Sequence, residues 1–323
     1  MTCSPPRAAA AVTIDVDSLR CYREIHGLPA RSDEDDPVYT EALPRFLDLM
    51  RDLDVRATLF VVGQDLERAA HGALLERAAK EGHEIASHSY SHDYALSQRS
   101  FAEICSDLWR ADDAIAGVSG RRPAGFRAPG YNQSEALFDA IEALGYRYDS
   151  SFFPTPAYFA ARAGALALYK VKGRPSRSLI GDVREFSAPR APFVPAKGAR
   201  HRPAKGSEAS RPFVEIPMSV ASRARLPWLG TTLALFPDGV GKALTRAALT
   251  GPGPCVLELH AIDFLGPDDV DDGSLVAAQG DLRVATSDKL RRIGGAVERM
   301  RAARSVVPLE DIARASHLVG SAG

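Results

Sequence analysis

Hydrophobic positions along this chain follow two alternating periods. Ala11 to Val16 is a compact apolar run interrupted and followed by acids, and Val55 to Val62 is a second, rich in β-branched residues. Glu84 to Ser87, Ala124 to Arg127 and Tyr146 to Asp149 are shorter strand candidates. Between them the spacing turns helical. Leu43, Phe46, Leu47 and Met50 fall at i, i+3, i+4 and i+7, Leu74 to Lys80 continues a second such face, and Phe101, Ile104, Cys105 and Leu108 make a third. The later half repeats the theme. Val214 to Met218 precedes a helix near Val240 to Leu249, and the run Cys255 to Leu259 precedes a long helix from about Ser287 to Arg304. Val306 and Val307 then lead into a last helix starting near Leu309. Strands alternating with helices predict parallel β-α-β units.

Roughly seven such units fit an α/β fold of the deformed (β/α)7-type, a barrel of parallel strands in a single domain over residues 1–323. An open doubly wound sheet is the second choice, because no Gly-x-Gly-x-x-Gly turn follows the first strand. The barrel has a consequence for location. Asp15, Asp17, His88, His92, Arg127, Asp149 and His260 each stand at or just past the C-terminal end of a predicted strand. A parallel barrel gathers those ends on one face, where such folds place their chemistry.

His88 and His92, four residues apart in Ser87-His88-Ser89-Tyr90-Ser91-His92, are the strongest chemical signal. Two neutral imidazoles with a carboxylate from the Asp15/Asp17 pair suit zinc or a similar divalent ion. Three protein ligands and one open position would make the site catalytic rather than structural. With eight histidines in the chain, the spacing alone is weak evidence. The acids and the other strand-end groups give it weight.

Composition narrows the class. The 323 residues are 45% hydrophobic, enough for a sizeable core, and the net charge of −1 points neither to nucleic acid nor to a membrane surface. Cys3, Cys21, Cys105 and Cys255 lie far apart, without a Cys-x-x-Cys pair, and read as reduced thiols. No apolar run approaches the ~18 residues of a membrane helix, and the N-terminus lacks a basic segment joined to a leucine-rich one. These features lead us to expect no transmembrane segment and a cytoplasmic protein of open oligomeric state. Between about residues 170 and 211 the chain turns rich in Pro, Gly, Arg and Lys. This insertion reads either as a solvated loop or as a basic lip that attracts an anion, with Arg200, Arg202 and Lys205 as its charges.

Taken together, these motifs resemble the NodB-homology polysaccharide deacetylases, carbohydrate esterase family four, over about Ala11 to Leu309. Thr13-Ile14-Asp15-Val16-Asp17 is similar to the first motif in a variant with one residue between the acids. Gly82-His83-Glu84-Ile85 leading to His88 and His92 matches the second, Phe126-Arg127-Ala128-Pro129-Gly130-Tyr131 the third, and Val256-Leu257-Glu258-Leu259-His260 the last. The resemblance implies a single deacetylase domain, a divalent metal that is commonly zinc, and hydrolysis of an acyl group from a sugar. Carried onto this chain, it makes Asp17, His88 and His92 the metal ligands and Asp15 the general base. Arg127 would hold that base, His260 would protonate the departing amine, and the Gly130 backbone N–H would help stabilise the oxyanion.

Such a division of labour makes chemical sense by itself. Amide hydrolysis needs an activated water, anion stabilisation and a proton for the amine. Duller roles compete: Asp15 or Asp17 as a helix cap, Arg127 as a structural ion pair, His260 as a core group, and His83 as a structural hydrogen-bonding residue. One departure stands out. Many family members have Asp-Ser-x-Asp-Trp where this chain has Asp149-Ser150-Ser151-Phe152-Phe153, so the acid that usually supports the catalytic histidine is missing, and Asp263 or Glu215 is expected to substitute. The two Phe, with the apolar stretches Pro154 to Phe159 and Leu226 to Leu235, suit a long polar glycan less than a small or lipid-linked substrate. The expected activity is removal of an acetyl or formyl group from an amino sugar or small amide, phosphate- or lipid-linked substrates included. The alternatives are a cyclic ureide or imide hydrolase on the same fold, or a non-catalytic carbohydrate- or lipid-binding barrel.

Overall fold

The computed structural model describes residues 8–31, 35–171, 173, 176–179, 181–205 and 210–320. Cys3 with the rest of the N-terminal segment, and residues 206–209 of the basic stretch, lie outside these.

The first strand, β1 (Ala9–Val16), is buried along nearly its whole length because both of its faces are covered. Helices α1 (Leu19–Ile25) and α2 (Leu43–Asp52) follow. In α2 the predicted stripe of Leu43, Phe46, Leu47 and Met50 is fully buried. Next come β2 (Thr58–Val61), α3 (Ala69–Lys80), β3 (Glu84–Ser87) and α4 (Phe101–Ser119). Ser100 and Glu103 form a reciprocal capping box at the start of α4, and Gly120 ends it at φ 74°. Its buried stripe runs Ile104, Leu108, Ala111 and Ile115, so Phe101, expected on that face, is exposed.

The pattern continues through β4 (Gly125–Phe126), α5 (Glu135–Ala143), β5 (Tyr148–Asp149) and α6 (Pro156–Val171). A small antiparallel pair, β6 (Pro195–Ala196) and β7 (Ala199–Pro203), occupies the basic insertion. Then follow β8 (Val214–Glu215), a second antiparallel pair of β9 (Val220–Ala221) and β10 (Leu226–Pro227), α7 (Gly230–Leu235), α8 (Asp238–Leu249) and β11 (Cys255–His260). The chain closes with α9 (Gly273–Ala278), α10 (Thr286–Ala303), β12 (Ser305–Val306) and α11 (Leu309–Gly320).

The main sheet is entirely parallel, in the order β11-β1-β2-β3-β4-β5-β8, with β12 also paired to β1. It curls on itself. After β8, Ser219 exchanges hydrogen bonds with Val256 of β11, its N–H to the Val256 carbonyl at 3.0 Å and its Oγ accepting from the Val256 N–H at 2.9 Å. The barrel is thus deformed and closed by isolated contacts, with a bridge from Leu229 to Glu258 beside the Ser219–Val256 pair, rather than by a full ladder, in keeping with the predicted (β/α)7-type architecture.

The open end is filled. Leu309, Ile312 and Ala313 of α11 pack with Ala11, Phe60, Tyr148 and Val256 inside the barrel. The buried Glu84 carboxylate takes hydrogen bonds from Thr58 Oγ1, Tyr148 Oη and the Glu310 N–H, so an acid caps the N-terminus of α11. Burial pushes its pKa up to about 7. This plug occupies the N-terminal end of the strands and leaves the other end for chemistry.

Candidate active site and metal centre

Register brings the first two site groups together. Asp15 on β1 lies directly opposite His260 on β11, and the chain leaving β3 carries His88 and His92 beside them. His92 adopts a left-handed φ of 54° and Ser89 one of 65°, conformations that are costly for non-glycine residues and that concentrate at functional sites. The turn is held from outside. Asp107 of α4 accepts from the Tyr90 N–H at 2.8 Å, the Ser91 N–H at 3.2 Å and Ser91 Oγ at 2.6 Å, and the His92 N–H reaches Ser89 Oγ. Asp107 escaped the sequence reading, since nothing local links it to a loop 16 residues away.

Asp17, His88 and His92 form an Asp-His-His divalent-metal site. His88 Nε2 is 3.4 Å and His92 Nε2 3.2 Å from Asp17 Oδ1. Tetrahedral zinc with bonds of about 2.0–2.1 Å puts neighbouring donors about 3.3 Å apart, so these spacings fit. The imidazole of His88 is oriented by its other nitrogen, which donates to the Arg127 carbonyl at 2.8 Å and leaves Nε2 as a lone-pair donor. Buried Asp17 Oδ1 and His92 Nε2 face each other and, among the described residues, no other hydrogen-bond partner takes them, which leaves both free to turn to an ion. Burial alone would raise the Asp17 carboxyl, but His92 and His88 hold it well below the usual range; burial lowers His88 to about 3, the neutral form a metal requires.

Asp15 stands next to this set, its Oδ2 3.9 Å from His88 Nε2. Its Oδ1 accepts from Arg127 Nη1 at 2.6 Å. Arg127 is completely buried, stacked over Phe60, and also bonded to Thr13 Oγ1, Ser150 Oγ and the Ser150 carbonyl. The guanidinium therefore serves both as a structural ion-pair partner and as a clamp on Asp15. Burial outweighs it, leaving the Asp15 carboxyl raised to about 7 instead of lowered, as the arginine alone would make it.

His260 has a partner the sequence reading did not choose. Glu258 Oε1 lies 2.8 Å from His260 Nδ1, and Tyr131 Oη donates to the same carboxylate oxygen at 3.1 Å. The two expected substitutes are engaged elsewhere. Asp263 accepts the His260 backbone N–H, and Glu215 pairs with Asp149 and accepts the Phe152 N–H. Burial would lower the His260 imidazole, but Glu258 carries it well above its ordinary value. The missed signal lay in Leu257-Glu258-Leu259-His260, since positions two apart on a strand share a face. His83, as expected, is structural: its Nδ1 accepts the Ala57 N–H.

Gly130 lines the same cleft at φ 58°, and a Cβ added there would lie 2.9 Å from Arg162 Nη2 and 3.0 Å from Tyr94 Cδ1. Both the backbone angle and the crowding call for glycine. The cleft, about 330 Å³, is lined mainly by aromatic and apolar groups, among them Tyr22, Tyr94, Tyr131, Tyr158 and Leu166. Helix α6 roofs it. Tyr169 Oη meets His26 Nδ1 at 2.7 Å, and Ser176 Oγ donates to the Ile25 carbonyl, tying the roof to α1.

Of the two readings of the basic insertion, the structure does not place its charges as a lip over the cleft. Buried Arg200 is paired with Asp182 and Glu185, and buried Arg211 with Glu135, Asp139 and Glu142. Arg202 and Lys205 are exposed, and neither belongs to the cleft lining. The charges were read from composition, whereas their acids come from α5 and from the 182–185 turn.

Comparison with known proteins gives a consistent picture. The polysaccharide deacetylase family model matches residues 34–148. A chitin deacetylase of Colletotrichum lindemuthianum is 29% identical over 161 residues, 49% of this chain and 62% of that protein. A peptidoglycan-N-acetylglucosamine deacetylase of Bacillus cereus is 32% identical over 120 residues, 36% of this chain and 51% of that protein. The matched part spans about half the length of these curated relatives. A Mycobacterium smegmatis protein described as a polysaccharide deacetylase superposes with a TM-score of 0.62 at 18% identity, covering 99% of this chain and 94% of its own. The allantoinase Puue does so with 0.57 at 15%, covering 98% and 94%. At those identities the two structures establish the fold alone.

Proposed function

Since this chain belongs to the polysaccharide deacetylase family, we propose that it is a metal-dependent hydrolase removing an acetyl or formyl group from the nitrogen of an amino sugar or a related building block. The observation that carries this reading is the meeting, in one cleft, of the Asp17-His88-His92 site with the Asp15–Arg127 and Glu258–His260 pairs. A divalent ion held there, for which zinc is our choice, supplies Lewis acidity that polarises the acyl carbonyl and eases deprotonation of water.

The chain's own groups then divide the proton transfers. Asp15, oriented by Arg127, takes the proton of the attacking water. The N–H of Gly130, which lines the cleft, would stabilise the oxygen that becomes anionic. His260, kept protonated by Glu258, gives its proton to the departing nitrogen. A silent binding protein would need neither an oriented base nor a supported acid. The cleft of about 330 Å³ supports a compact substrate, near the lower limit of ordinary small-molecule sites. A cytoplasmic location belongs to the same proposal and is supported by the free thiols of Cys21, Cys105 and Cys255.

The test is elemental analysis of wild type beside Asp17→Ala and His92→Ala, followed by assay of N-acetylated and N-formylated amino sugars for released acetate or formate. One divalent ion per wild-type chain, lost in both variants, with acid release is the expected result. A metal-loaded protein that opens cyclic ureides without releasing an acid would replace this reading with the ring-opening alternative. A chain that takes up no metal after reconstitution would reject both.

A further inference from the structure

Helix α6 carries one cation into the cleft. Arg162 is partly buried, with Nη1 donating to the Gly130 carbonyl at 2.7 Å and Nε to Ser178 Oγ at 2.9 Å. Both acceptors are neutral, and among the described residues no carboxylate lies within ion-pairing distance of it. Arg127, Arg200 and Arg211 each meet at least one acid, and Arg225 and Arg304 bond three or more backbone carbonyls outside the cleft lining; Arg162 has two neutral acceptors and lines the cleft. A partly desolvated guanidinium without a counter-charge is costly, and an anion arriving in the cleft offsets that cost. Two of its five N–H groups are spent, so the Nη2 side keeps donors in a planar fork suited to an oxyanion. The sixteen residues of α6 include Arg162 and Lys170 and no acid, so the roof sets no carboxylate against an arriving anion; Asp15 and Asp17 line the cleft beside the metal site.

Its position matters as much as its charge. Arg162 Nη2 and the Tyr94 ring converge on Gly130, and Tyr94 stands edge-on to His92 with ring centroids 4.8 Å apart. The guanidinium is thus one aromatic ring away from a metal-site histidine. We propose that Arg162 is the anion-recognition residue of this cleft, selecting amino-sugar substrates that carry a phosphate group close to the acylated nitrogen. The proposal deepens the hydrolase reading and rests on it for the sugar. The phosphate is either that of a free sugar phosphate or one esterified to a lipid.

Deacylated probes separate the two claims because they cannot turn over. Metal-reconstituted full-length protein is titrated calorimetrically with glucosamine 1-phosphate and with glucosamine. We expect the phosphorylated sugar to bind about tenfold to a hundredfold more tightly, the range of a charge-assisted hydrogen bond. Arg162→Gln should reduce that preference to a few-fold, and Arg162→Lys, which keeps the charge, should retain most of it. Equal binding of the two sugars by wild type, no binding of the phosphorylated one, or a preference that survives Arg162→Gln would overturn the assignment. Displacement by dodecyl phosphate far better than by inorganic phosphate identifies a lipid-linked phosphate, and equal displacement a free one. Acid release is scored independently, so an Arg162-dependent preference in a protein without hydrolytic activity would refute the hydrolase and leave the anion site standing.

Discussion

Glu258 and His260 stand two residues apart on one strand, and the carboxylate of the first lies 2.8 Å from Nδ1 of the second. Strand alternation makes the pair, so β11 supplies both the acid group and its support without help from the fifth strand. The phenol of Tyr131 fixes the remaining freedom of the carboxylate.

Removing the charge of this support should move a pH profile. Glu258 raises the His260 imidazole, and catalysis that needs the protonated form is lost as pH rises through that pKa. Glu258→Gln should shift this alkaline limb to lower pH and reduce kcat by about tenfold at pH 8, whereas His260→Ala should cost about 10²- to 10⁴-fold below that pKa and progressively less above it. An unmoved limb in Glu258→Gln would return Glu258 to a purely structural role.

Metal and stability should be coupled. The Asp17, His88 and His92 donor atoms are already gathered in the fold, so an ion binds the native state in preference to the unfolded one. Adding zinc at 100 times its Kd should stabilise wild type by about 2.7 kcal/mol, and a chelator should remove that increment. Scanning calorimetry of Asp17→Ala should show no response to either addition.

Gly130 offers a test of backbone demand. Its φ of 58° and its neighbours Arg162 and Tyr94 leave no relaxed place for a Cβ. Gly130→Ala should cost about 1–2 kcal/mol in urea denaturation and reduce activity by much more than that stability loss explains. An active Gly130→Ala protein would argue against the oxyanion role.

At the opposite end of the barrel, Glu84 should leave a mark on stability. Its folded pKa of about 7 lies above the ordinary value of 4.5, so the native state holds the proton more tightly. Its contribution is fully present below about 4.5, declines as pH rises, and is lost above about 7. Glu84→Gln, which cannot ionise, should therefore lose less stability than wild type between pH 5 and pH 8 in denaturant titrations. Parallel curves would show that Glu84 titrates normally.

The insertion should prove structural where it is buried and neutral where it is exposed. Arg211→Ala breaks contacts to three partly exposed acids on α5 and should cost about 1–2 kcal/mol with little change in KM. Arg202→Glu and Lys205→Glu should leave KM for a phosphorylated substrate unchanged, as initial-rate kinetics can establish.

Most of the barrel was legible because its signals are local. Apolar runs and i, i+3, i+4 stripes specify strands and helices from neighbours in the chain, and parallel topology then dictates that Asp15, Asp17, His88, His92, Arg127 and His260 share one end. Helix α6 was less legible: only its start figures in the sequence, in the apolar stretch Pro154 to Phe159, and no buried stripe marks the rest because only Phe159 is buried in it. What a charge does was decided by packing alone. Arg200 and Arg211 are neutralised by acids that α5 and the 182–185 turn bring to them, and Arg162 is left facing Gly130 and Ser178 because the roof folds back over α1. Identity and spacing along a chain name the groups that can ionise. Which of them meet, and which remain uncompensated in a cleft, depends on contacts between segments far apart in sequence, and those exist only once the chain has folded.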